Sequence, residues 1–183
     1  MAIRKKEKDK SHFIKTIDDH KNLTAKGKYM EVMLKNIYVN IPLKSNRTNT
    51  IRSFTIVKVL FHNIWDYRIS INPSLFKLID TEGFQHNGNG CSYYEYDHAV
   101  MSPDKYTPVS FAWPELTLED HTKTIGHIWF KALMRGLPHR LIFVFQIFEP
   151  GDTSGWQQDR ETIEFIIPDL QTSHPLLSYY NPA

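Results

Sequence analysis

The sequence predicts an all-β fold, an antiparallel β-sandwich of seven to eight strands. Three observations point there. Runs rich in β-branched and aromatic residues alternate with period two, Pro, Gly and polar clusters separate them, and no long stretch carries a helical period. In 183 residues, 41% are hydrophobic and 13% aromatic, enough apolar surface for one core and against wholesale disorder. No linker divides the chain, so one domain of ordinary size is expected.

Residues 1–27 read as a basic, flexible N-terminal arm. Nine Lys and Arg lie up to residue 28 against four acids, whereas the remainder holds thirteen cations and sixteen acids. Phe13, Ile14 and Ile17 suggest one or two weak helical turns within that arm. Residues 28–170 then form the sandwich. In the run 28–43, Met30, Val32 and Leu34 occupy one face and Ile37, Val39 and Ile41 the other, with a bulge or kink of an edge strand between the two sets. Residues 51–63 carry apolar side chains on both faces, the pattern of a central strand. Two strand pieces flank Asn72-Pro73. Proline has no amide to donate, so this break belongs at a sheet edge or at a crossing between sheets.

The segment "FKLIDTEGF" (76–84) alternates and then turns at an acidic-Gly pair, which reads as a strand and a hairpin turn. Residues 85–106 form the longest loop-like region, with Gly-Asn pairs and a tyrosine cluster. Strands are expected over 107–118, 123–134, 139–149 and 161–170. Residues 135–140 read as a hairpin loop and 150–160 as a longer polar connection. Residues 171–183 are an aperiodic C-terminal tail. The core should include Val32, Leu34, Phe54, Ile56, Phe76, Leu78, Phe111, Ile128, Phe130, Leu141, Phe143, Phe145, Phe165 and Ile167.

The strand "VKVLFHN" ending in Asn63, the following "FKLIDTEGF", and the later "GHIWFKALM" and "RLIFVFQI" together resemble bacterial immunoglobulin-like domains with a telokin-like sandwich. The order is kept over about residues 28–168. The resemblance implies an immunoglobulin-like β-sandwich with a binding or scaffolding role, and it carries no catalytic residue across.

Asp80, Glu82 and Asp152 offer oxygens to Ca²⁺, but "DTEG" lacks the dense acid spacing of a calcium loop, and a turn with solvated carboxylates is the expectation. Nine histidines are scattered. His86, His98, His121 and His127 show neither helical nor strand metal-site spacing, so no metal and no cofactor are expected. The lone Cys91 excludes an intrachain disulfide and lacks a marked activating neighbour. Tyr93, Tyr94 and Tyr96 form the candidate interaction loop, since tyrosine supplies rigid contact area with a polar tip.

Glu7 and Asp9 dilute the charge of Lys5, Lys6, Lys8 and Lys10, which disfavours nucleic acid as partner. No apolar run follows the basic start as a secretory signal requires, and no transmembrane segment is visible. With a single cysteine, these features lead us to expect a cytoplasmic setting. The expected function is non-enzymatic binding of a protein partner or of a second copy. The alternatives are a structural subunit of a larger assembly, such as a phage or secretion particle, and a metal-dependent hydrolase using the loop histidines.

Overall fold

The computed structural model describes residues 11–17, 22–44, 50–92, 116–131, 133–151, 155–168, 170 and 174–181. These form strands β1 (Ser11–Thr16), β2 (Thr24–Lys26), β3 (Met30–Lys44), β4 (Ile51–Asn63), β5 (Ile69–Ile71), β6 (Lys77–Asp80), β7 (Gln85–Asn87), β8 (Gly90–Ser92), β9 (Leu116–Leu118), β10 (Lys123–Phe130), β11 (Pro138–Gly151), β12 (Gly155–Ile166) and β13 (Leu177–Tyr180). One sheet runs β1-β12-β11-β6-β7. The other runs β13-β3-β4-β10-β8, with β2 also on β3, and β5-β9 make a separate ribbon. The fold is an all-β sandwich.

Its core lies between the two larger sheets. Phe61 of β4 meets Phe76, Phe143 and Phe145 with ring centroids 6.0–6.2 Å apart, and Phe143 extends the cluster to Phe165 at 6.0 Å. All five rings are fully buried. Each such ring contributes about 1.5–3 kcal/mol of transfer free energy, so this cluster is the main bond between the sheets.

A bulge in β3 corrects the expected facing of its side chains. Leu34 pairs with Val59 and Asn36 with Lys58, leaving Lys35 as the extra residue. One extra residue reverses the parity of the alternation. Ile37 therefore faces Val57 on the same side as Leu34, and Val32, Leu34, Ile37 and Val39 all join one core. β3 is also not an edge strand, because β2 and β13 cover its second side.

The sandwich extends further than expected at both ends of the chain. Ser11–Thr16 pairs in parallel with β12, so the strands begin within the residues read as an arm. Phe13 and Ile17 pack towards the core while Ile14 faces out. That is an alternating pattern, which the short helical reading of the same residues misjudged. At the other end, Leu177–Tyr180 pairs in parallel with β3, inside the expected tail. The sandwich is thus not wholly antiparallel.

Two connections also differ. Residues 135–140 do not form a hairpin loop, because β10 ends in one sheet at Phe130 and β11 begins in the other at Pro138. Residues 155–160 continue as strand, because β11 and β12 stay paired out to Gly151 and Gly155. The Asn72-Pro73 break does sit at a crossing. There Asn72 Oδ1 accepts the Ser74 amide at 3.1 Å and caps a 3-10 turn. Among the expected core residues, Phe111 lies outside the described residues and the others are buried. Phe54 and Ile56 are buried outside the inter-sheet cluster, on the opposite face of β4, where Phe54 meets Trp129 edge-on at 5.8 Å.

Candidate interaction surface

At one end of the sandwich, β6 closes into β7 through the "DTEGF" turn. Asp80 Oδ1 accepts the amides of Glu82 at 3.0 Å and Phe84 at 2.9 Å, and His86 Nε2 lies 3.4 Å from Oδ2. The Asp80 amide in turn donates to the Phe84 carbonyl at 3.0 Å. Gly83 takes the left-handed backbone, φ 85°, which glycine adopts at no steric cost. Burial pushes the Asp80 carboxyl up. The amides of Phe84, Glu82 and Gly136 and the His86 ring outweigh burial, and hold it below its ordinary value of 3.8. The hairpin expectation holds, but Asp80 is buried rather than solvated. Its oxygens are engaged within the turn, which leaves it poorly placed to ligate an ion.

Residues 135–137 lie against this turn. The Thr81 amide donates to the Leu137 carbonyl at 2.9 Å. A Cβ on Gly136 would stand 2.3 Å from Thr81 Oγ1 and 3.2 Å from the Thr81 amide nitrogen, so any larger residue would have to displace Thr81. From the other sheet, Asn40 fixes the same loop. Its Oδ1 accepts the Met134 amide at 2.7 Å, and its Nδ2 donates to the Met134 carbonyl at 2.8 Å and to the Asn181 carbonyl at 3.0 Å. Asn40 itself has φ 55°, a region asparagine tolerates better than most residues. It forms the second irregularity of β3, between Tyr38 and Ile41.

These buried anchors hold an unusual surface. Phe84 is 47% exposed and Leu133 57% exposed, and the Arg135 guanidinium lies 5.2 Å from the Phe84 ring centroid. Lys131 and Arg135 are exposed on either side of Leu133, while Met134 between them is buried. The result is an apolar and cationic patch on pinned backbone.

The opposite end is arranged differently. Glu161 of β12 reaches across to the other sheet and accepts the amides of residues 28–30. Tyr29 donates at 3.0 Å, Met30 at 2.8 Å, and Lys28 also donates. Burial pushes the Glu161 carboxyl above its ordinary 4.5, the three amides pull it back in part, and nearby Asp159 adds to the rise. Tyr29 Oη donates to Asp159 at 3.0 Å. Tyr29 meets Trp65 in a tilted contact with ring centroids 4.8 Å apart, and Trp65 meets Tyr67 edge-on at 4.9 Å. Asn63, the asparagine ending "VKVLFHN", donates to the carbonyls of Tyr67, Leu118 and Glu119 and accepts the Trp65 amide. It ties two loops to the end of β4.

Tyr93, Tyr94 and Tyr96, His98 and Asp152 lie outside the described residues. The other histidines singled out stand apart. His86 contacts Asp80, exposed His121 sits 2.7 Å from Asp66, and His127 is buried in β10 opposite Lys58. Among the described residues, no three His, Cys, Asp or Glu side chains are grouped to hold a metal. No described helix is long and apolar enough to cross a membrane. Sequence reasoning missed Phe84, Leu133 and Arg135. The signal available was an aromatic residue placed directly after an acidic-Gly turn.

No family model and no curated protein sequence matches this chain. Among solved structures, it is similar to the yjhA protein from Bacillus subtilis at 18% identity and TM-score 0.42, covering 70% of this chain and 78% of that one. It is also similar to an uncharacterized β-sandwich protein from Clostridium difficile 630, at 8% identity and TM-score 0.39, over 87% and 97% of the two chains. A third likeness, to the CooA pilin subunit from enterotoxigenic Escherichia coli, has 8% identity and TM-score 0.20 over 77% and 99%. Likenesses this distant say nothing about activity.

Proposed function

We propose that this chain is a non-enzymatic binding module that recognises a protein partner, or a second copy of itself, through the loops at the Phe84 end of the sandwich. The observation that carries the reading is Phe84, half exposed beneath Arg135 on a turn locked by Asp80. Aromatic residues and arginine dominate the energetics of protein interfaces. A backbone already fixed in its bound shape loses little entropy on association. Immunoglobulin-like sandwiches use their end loops in this way, and the same role suits this end.

The reading is tested by placing a photo-crosslinking residue at position 133 in cells and identifying what it captures. A recurrent protein, or the chain itself, is expected. With that partner purified, Phe84→Ala should weaken binding about tenfold, or about 1.4 kcal/mol. Equal affinity for the wild type, Phe84→Ala and Leu133→Ser would overturn the proposal.

A further inference from the structure

Resting on that reading, we infer that the partner presents a carboxylate side chain beside an apolar one on an exposed segment. Arg135 is the cation at the centre of the patch. Its guanidinium lies over the Phe84 ring, 5.2 Å from the centroid, and a guanidinium held against a ring face still has N–H donors in the planar fork that matches a carboxylate. Among the described residues no carboxylate pairs with it. Arg140 by contrast is held by buried Glu164, and Arg68 has Glu119 nearby at 4.0 Å.

The local charge points the same way. Lys131 and Arg135 are exposed on the crossing loop. Glu82 is the exposed acid on the adjoining turn, and the Asp80 carboxylate is engaged by its own amides. Leu133 and Phe84 supply the apolar contact, so an acidic residue flanked by an aliphatic or aromatic one satisfies both features of the patch. Charge pairing of this kind also steers encounter.

The test is to pan a random short-peptide library on the immobilised full chain, and on Phe84→Ala and Arg135→Gln variants shown by urea titration to be folded. The expected result is enrichment of peptides with Asp or Glu next to an apolar residue. Their affinity should fall about tenfold with Arg135→Gln, the loss of one charge-assisted contact, and should fall with added salt. Enriched apolar peptides that ignore Arg135→Gln but are lost with Phe84→Ala overturn the carboxylate inference and leave the binding surface standing. Enrichment indifferent to both variants, or no enrichment, overturns both. Preferential capture of a random oligonucleotide pool through Arg135 would make phosphate the recognised group and would also overturn the inference.

Discussion

The two ends of the sandwich each bury a carboxylate that accepts backbone amides, yet the two carboxylates respond to the protein in opposite directions. Asp80 takes the amides of its own turn with His86 alongside, and its carboxyl is held low despite burial. Glu161 takes three amides from the facing sheet, but its deeper setting and the neighbouring charge of Asp159 prevail, and its carboxyl is raised. Amide donors alone therefore do not decide the sign. The balance between desolvation and all charges in reach does. Mechanically the roles differ too. Glu161 joins the two sheets, while Asp80 shapes a turn that presents Phe84.

The largest expected effect comes from Glu161→Ala, which leaves three buried amides without their acceptor. A loss of about 3–5 kcal/mol is expected, measured by urea denaturation at neutral pH. Glu161→Gln removes the titrating carboxyl and keeps an acceptor oxygen for the amides. Because the folded pKa is raised, the unfolded chain releases this proton first, so the proton-linked part of Glu161's contribution is full below pH 4.5 and is lost as pH rises through the folded value, whereas its hydrogen bonds to the three amides remain. The Gln variant should lack that decline, which a series of urea titrations across pH would read.

Next in size is Gly136→Ala. Its Cβ would press on Thr81 Oγ1, and overpacking of this kind costs about 1–3 kcal/mol. Asp80→Asn should cost about 1–2 kcal/mol at neutral pH through weaker acceptance of the turn amides. Its pH dependence has the reverse sign. A lowered folded pKa means that the contribution of Asp80 is present above pH 3.8 and is lost as pH falls through the folded value. The difference between wild type and Asp80→Asn should therefore shrink in acid. Parallel pH slopes for the Asp80 and Glu161 variants would mean that the two carboxyls are shifted in the same direction. The smallest effect is that of Phe84→Ala, whose exposed ring should change stability by less than about 0.5 kcal/mol while weakening partner binding.

Much of this architecture was legible in the chain. The run 51–63 coincides with β4, the "DTEG" hairpin forms, and the expected core residues within the described part are buried. The misreadings share a cause. Whether Phe13, Ile14 and Ile17 form a helical turn or a strand depends on the availability of β12 as a partner, and so few residues carry too little period to choose. Likewise Lys35 marks a bulge only once β4 sets the register. The patch around Phe84 was illegible for a related reason. Its parts lie about fifty residues apart and are brought together by Gly136, Asn40 and Asp80, none of which forms a motif in sequence.

By itself the sequence determined the all-β class, the strand-forming runs and most of the apolar residues that fill the core, because those follow from local alternation and side-chain chemistry. The tertiary structure alone decided which face each half of β3 presents, where the terminal segments dock and which carboxylate is raised or lowered. Those properties depend on partners distant in sequence, through strand register, burial and the sum of nearby charges, and no local pattern encodes them.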